Sequence, residues 1–334
     1  MTARAGDESE RDRQILNRPG DADPRYSRSR TVFRYLLAVV ILAILFMVVP
    51  LADVFAVLQS VRPGYLFVAL CISMLVQWLI AVRLRLVVRA LGVDLSTGEL
   101  FAINAATRFY GLFLPGGNLT GIAVRFYKMS GDSGQYAATA VTLVSERIIA
   151  TLTLCLLGLV FWFLAPPAGS PWLALVMFAG LLATTFLFAL LMGYVSLPFS
   201  IPVNQGGRLR EGMGRIRAAV GVMQALSTRT LAEVFALSIL IHLISVIAFM
   251  VIAFSLGMNV SFVTMGWIRS GLILATMIPI SVSGVGLREF AALLLFEDFS
   301  NEEAVAFAFL VFIVTVLAFG LLGGLIEARR LLTR

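Results

Sequence analysis

Arg125 and Arg288 each follow a proline by nine or ten residues, within stretches otherwise rich in apolar side chains. The first stretch reads FLPGGNLTGIAVRF (113–126) and the second MIPISVSGVGLREF (277–290). Pro115, Gly116, Gly117 and Gly121 punctuate the first, and Pro279, Gly284 and Gly286 the second. Proline ends a helix because it lacks an N–H donor and its ring clashes with the preceding turn. Each stretch is therefore expected to hold a break and then a fresh half-helix, starting near Asn118–Thr120 and near Ser281–Ser283. Asn, Thr and Ser suit a helix N-cap, and the free N–H groups of such an end attract anions. A guanidinium within about two turns adds a bidentate fork for phosphate. The chemistry in view is anion binding by Asn118, Thr120, Arg125, Ser281, Ser283 and Arg288. The plainer alternative has Arg288 pairing only with Glu289 or a backbone carbonyl.

A third stretch, VTLVSERIIATLTL (141–154), carries Glu146 and Arg147 inside an apolar run. At helical rise they lie roughly 15 Å from the end of that run, near mid-bilayer. Ionisable groups at such depth cost on the order of 3 kcal/mol unless paired or hydrated, which marks them as functional candidates. Glu146 either neutralises Arg125 or Arg288 while no ligand is bound, or titrates and couples to proton movement. Neighbouring arginines favour the first role, because they hold a carboxylate ionised. Glu146 and Glu289 would balance charge or meet a cationic headgroup, with Arg147 in support. Arg108 either joins this basic cluster or stands at its inner mouth. Arg269 is expected at the membrane interface. His242, in ILIHLIS, has no carboxylate or cysteine at metal-ligand spacing and is expected to pack. The glycines of GLLGG (320–324) fit close helix packing.

Elements that would position these groups follow from composition. Of 334 residues, 60% are apolar and 13% charged, where soluble domains carry roughly 25% charged residues. A polytopic membrane protein is expected. The net charge of +7 comes almost wholly from arginine, Lys128 being the only lysine. The basic residues flank apolar runs, so they read as topology signals and as attraction to anionic inner-leaflet lipid, not as a nucleic-acid surface. Cys71 and Cys155 both lie in apolar runs and suggest no disulfide. Residues 1–34 read as a disordered cytoplasmic tail.

Apolar runs fall at about 35–58, 65–82, 98–114, 137–165, 172–193, 231–256, 262–280 and 303–326. The tail, the Arg83, Arg85 and Arg89 cluster, the 194–230 loop and the C-terminal arginines are all assigned to the inside. Parity then leaves 98–129 and 262–296 unable to cross. The first should enter from the inner face and return, the second from the outer face. The expected fold is an all-α polytopic membrane protein, with six full spans and two re-entrant broken-helix pairs in eight hydrophobic segments. Its halves, about 35–165 and 172–327, would form a single integral membrane domain as an inverted-topology repeat, a plan that binds substrate near the midplane. The alternative is two similar loops in an irregular bundle. Within the basic loop, 206–225 places Leu209, Met213, Ile216, Val220 and Met223 on one helical face, either flat on the inner leaflet or in a solvated connector.

There is no P-loop, no HExxH pair and no nucleophile elbow, and the single histidine excludes most metal or histidine-based hydrolytic sites. No enzymatic activity, metal or cofactor is expected.

FLPGGNLTGIAVRFYKM, VTLVSERIIATLTL and PISVSGVGLREFAALLL, in that order, resemble the lysylphosphatidylglycerol synthase transmembrane-region family of flippase-like membrane proteins. The resemblance covers about residues 35 to 330. It departs in the first motif, where the family commonly has an acid after a glycine pair and this chain has Thr120, Gly121 and Ile122. An ammonium contact at that place is therefore not carried over. The best-understood members are fused to a soluble aminoacyltransferase domain, which is expected to be absent here. The resemblance implies movement of a membrane phospholipid or lipid-linked phosphate between leaflets of the cytoplasmic membrane, where the arginine placement puts both termini on the cytoplasmic side. The alternative is a non-catalytic partner or subunit of a lipid or polyprenyl-phosphate glycolipid pathway. A second copy of the chain or a lipid-synthesis enzyme is the candidate for association.

Overall fold

A computed structural model describes residues 50–90, 92–114, 117–131, 136–167, 171–194, 226–278 and 284–333, with positions 221 and 224. Its elements are α1 (Leu51–Gln59), α2 (Pro63–Ala90), α3 (Thr97–Phe113), α4 (Asn118–Ser130), α5 (Tyr136–Leu164) and α6 (Pro171–Leu191). They continue with α7 (Thr228–Ser255), α8 (Phe262–Met277), α9 (Leu287–Leu295), α10 (Asn301–Phe312), a π-helical turn (Ile313–Leu317) and α11 (Ala318–Leu332). No strand occurs among the described residues. The first predicted span is described only from residue 50, and the tail and most of the 206–225 face lie outside the described residues.

Five helical stretches are long and apolar enough to cross a membrane: α2, most of α5, α6, α7 and the continuous Asn301–Leu332. A 28-residue helix such as α2 or α7 extends about 42 Å, more than the ~30 Å of hydrocarbon. Large apolar side chains on their outer faces, such as Phe67, Phe163, Leu175 and Leu325, are exposed as lipid-facing residues must be. Between the long helices stand two helical hairpins, α3–α4 and α8–α9. Their arms of 17, 13, 16 and 9 residues run about 25, 20, 24 and 13 Å, each short of that thickness.

Local chemistry sets the hairpin ends. Ser96 caps α3 in a reciprocal box with Glu99, whose carboxyl is held below its usual range by two hydrogen bonds from Ser96. Ser261 accepts from the Thr264 N–H and caps α8 in a similar way. The second arms begin differently. Gly117 (φ 56°) precedes α4 and Gly286 (φ 84°) precedes α9, conformations that only glycine takes at no steric cost. So α4 starts at the expected place, but the anticipated Asn, Thr and Ser caps are replaced by glycine. The second half-helix starts at Leu287 rather than at 281–283, because left-handed Gly284 and Gly286 keep the chain in a turn until then.

Helix α2 packs along α7. Each hairpin's first arm packs on a long helix from the other part of the chain, α3 on α11 and α8 on α5. Glycines make both approaches possible. A Cβ at Gly323 would meet the Ala105 carbonyl oxygen at 2.0 Å, and one at Gly266 would meet the Phe161 ring at 2.3 Å. The largest core cluster among the described residues is built mainly from α7, α8, α9 and α10, with Phe249, Trp267, Phe296 and Phe307 in it, and also takes in buried side chains of α1, α2, α5 and α6.

Candidate functional site

Glu146 lies on α5 with its side chain 11% exposed. Its Oε2 accepts from Arg125 Nη2 of α4 at 2.6 Å, and its Oε1 from Arg83 Nη2 of α2 at 3.2 Å. Arg83 also donates from Nη1 to Ser238 Oγ of α7 at 3.0 Å. One carboxylate thus ties together two guanidiniums and, through them, four helices. Glu146 pairs with Arg125 as anticipated, and Arg288 is not among its direct partners. Arg83 had been assigned to the inner surface. It is instead 4% exposed, while Arg85 and Arg89 beyond it on the same helix are exposed as expected.

The second hairpin contributes Arg288, 5% exposed on α9, with its guanidinium carbon 5.3 Å from the Phe312 ring centroid. Phe312 immediately precedes the π-helical turn, a helix irregularity frequent at functional sites. A side chain at Gly284 would come within 3.3 Å of Arg288 Nη2, so the glycine leaves room for the guanidinium. Glu289, also 5% exposed, turns back to accept the Gly286 N–H at 2.6 Å and lies within electrostatic reach of Arg288.

Arg108 is half-buried on α3, and its stem lies against Gly320 of α11. Arg147 follows Glu146 but is exposed. Thr120 is half-buried one turn before Arg125. Gly121 lets α4 lie against α3, because a Cβ there would stand 2.7 Å from the Thr107 carbonyl oxygen. Pro115, Gly116, Pro279, Ser281 and Ser283, and the side chain of Asn118, lie outside the described residues.

Two further polar clusters were not anticipated. Arg269, expected at the interface, is 7% exposed within α8. Its Nη1 lies 3.3 Å from His242 Nδ1, and its guanidinium carbon sits 5.6 Å from the Phe249 ring centroid. Since an arginine can only donate, Nδ1 accepts and the ring proton belongs on Nε2. Nε2 stands 3.1 Å from both the Ala150 carbonyl and Thr153 Oγ1. His242 thus packs, as its isolation suggested. The second cluster surrounds Glu327 of α11, which accepts from Lys128 Nζ at 2.7 and 2.9 Å and from Tyr110 Oη at 3.2 Å. One signal could have found it: the only lysine and the only acidic residue after Glu303 are these partners. An open cleft of about 330 Å³ lined by Arg85, Arg89, Thr97, Thr230 and Glu233 holds none of the candidate residues.

Two buried or half-buried guanidiniums, those of Arg83 and Arg125, therefore meet on one carboxylate, and a further buried arginine, Arg288, stands next to Glu289 on the second hairpin. Such guanidiniums can receive an anion through forked N–H donors. Among the described residues no cluster of histidine, cysteine or acidic side chains could hold a metal ion. The family model for the lysylphosphatidylglycerol synthase transmembrane region matches residues 32–323. No curated protein matches the chain.

Proposed function

Because the chain belongs to the lysylphosphatidylglycerol synthase transmembrane-region family, we propose that its lipid-related role is translocation of a phospholipid or lipid-linked phosphate across the cytoplasmic membrane. The observation that carries this reading is the buried bridge in which Glu146 holds Arg83 and Arg125 of the first half, with Arg288 buried on the second hairpin. In the proposed mechanism Arg125 and Arg288 hold the phosphate, Glu146 releases Arg125 to it, and acyl chains stay in the bilayer through a lateral opening.

The re-entrant, inverted-repeat plan belongs to the same proposal. Its support is the shortness of all four hairpin arms and the pairing of contacts. With α1 to α4 matched to α6 to α9, and α5 to α10–α11, each major contact has a counterpart. The α3–α11 contact answers to α8–α5, α1–α10 to α6–α5, and α4–α5 to α9–α10, while α2–α7 is its own mate. Broken helices at a repeat interface are a recurring way to bind substrate near the midplane.

The test is leaflet exchange of fluorescent phospholipids in proteoliposomes. Arg125→Ala and Arg288→Ala are each expected to slow exchange roughly tenfold or more, since a hydrogen bond to a charged group contributes about 1.5–3 kcal/mol. Unchanged exchange in both variants sinks the site. The double pairing of Glu146 also favours a second reading, a static partner of a lipid or glycolipid pathway. That reading predicts no exchange by the wild-type chain.

A further inference from the structure

Arg147 is exposed at a depth where exposed charge is costly. It lies roughly 5 Å from the midpoint of the 29-residue α5, at helical rise. With α5 centred on ~30 Å of hydrocarbon, about 10 Å separates that position from the nearer face. Helix α5 is not peripheral, since it packs against α2, α4, α6, α7 and α8. Arg147 nevertheless stays exposed, as does Val144 one turn before it, at 48%. Glu146 is turned about 100° away around the helix, and its two oxygens already serve Arg125 and Arg83. Among the described residues no ion pair involves Arg147. One turn further along the same face, Thr151 Oγ1 lies 4.0 Å from Sδ of Met277, the last residue of α8. The tip of the second hairpin thus reaches the middle of α5 beside Arg147. It does not seal that face, because Ile278, the next residue, is 49% exposed. A guanidinium this deep is tolerated where water or an anion meets it, not where acyl chains alone do.

We infer that the exposed face of α5 beside the tip of the second hairpin is a wet lateral doorway, at which Arg147 captures a lipid phosphate from the bilayer. The inference rests on the translocation reading and locates the opening which that reading requires. The phosphate meets the forked donors of Arg147, while the lipid tail stays among exposed apolar side chains such as Val144 and Ile278. Arg125, 18% exposed and held by the adjacent Glu146, is the next guanidinium inward. The headgroup therefore passes from an exposed arginine to a half-buried one. Arg147 acts on the capture of dilute lipid and not on the turnover of lipid already inside. A lipid without phosphate gains nothing from it.

Two measurements on the full chain in proteoliposomes test this. In a Cys71→Ala, Cys155→Ala background, Val144→Cys and Thr151→Cys are expected to react with a charged, water-soluble thiol reagent roughly tenfold or more faster than Leu182→Cys, because the reactive thiolate forms where water reaches. Leu182 is 55% exposed and one residue past the midpoint of α6, so it matches them in depth but faces lipid. Arg147→Gln is expected to slow exchange of a fluorescent phospholipid roughly fivefold or more at low mole fraction, with little change at saturation. Arg147→Lys should retain most of the rate, and a phosphate-free fluorescent glycolipid should not distinguish wild type from Arg147→Gln. Labelling of the 144 and 151 cysteines as slow as that at 182 overturns the doorway. That series keeps Arg147 in place, so it decides the matter should Arg147→Gln fail to fold. Unchanged phospholipid exchange in Arg147→Gln, beside a loss in Arg125→Ala, overturns the capture role and leaves the translocation site standing. No exchange by the wild-type chain overturns both.

Discussion

Glu146 is the single group whose loss would expose the tension in the site. Its carboxylate keeps Arg83 and Arg125 within 3.2 and 2.6 Å of itself, and removing one partner of a buried pair strands the other. Glu146→Gln is expected to destabilise the protein by about 3–5 kcal/mol, measured by thermal unfolding in detergent. Arg83→Met combined with Glu146→Gln should recover part of that loss, since one unneutralised guanidinium then disappears. Equal stability of the Glu146→Gln variant and wild type would mean that the bridge contributes nothing. Glu146 was legible in the sequence because an acid inside an apolar run has few explanations. Arg83 was not, since it closes such a run beside Arg85 and Arg89, where a topology signal explains it equally well. Only the three-dimensional pairing across 63 residues separates it from those neighbours.

At the scale of elements, glycine decides how closely the hairpins seat. Gly323 on α11 faces the backbone of α3, with the Ala105 carbonyl carbon 2.3 Å from where a methyl group would sit. Backbone cannot swing aside as a side chain can, so Gly323→Ala is expected to cost about 1–3 kcal/mol through overpacking. Gly64→Ala has nothing within 4 Å to meet and serves as the control. Thermal unfolding of the two variants side by side is the measurement, and matched midpoints would contradict the close approach. The packing role of GLLGG was readable from its spacing, but its partner helix was not. The start of α4 was readable too, whereas α9 begins late because Gly284 and Gly286 both hold left-handed conformations. A glycine permits such a conformation without announcing it.

For the whole molecule, apolar runs and charge placement anticipated an all-helical membrane protein, and the five long apolar helices match runs found in the sequence. Contacts between distant parts were beyond reach, because each depends on partners that no local pattern links. The repeat plan predicts sidedness: a cysteine at 118 should be labelled from the cytoplasmic face of intact cells' inverted vesicles, and one at 284 from the opposite face. Labelling of both from one side would overturn the opposed hairpins. The halves also differ in charge. Glu146 and Val311 are both eleventh in their helices, and Arg83 and Ala248 both twenty-first, so the ionic bridge has no mate across the proposed repeat.

The grip of Glu327 on Lys128 has a consequence in time. These partners are separated by 199 residues, which a ribosome adding about 5–20 residues per second needs roughly 10–40 s to cover. Throughout that interval the α3–α4 hairpin must wait without the helix that seats it. Assembly of the early half is therefore gated by synthesis of the late one, and nascent chains halted before α11 should be the ones that quality-control proteases seize.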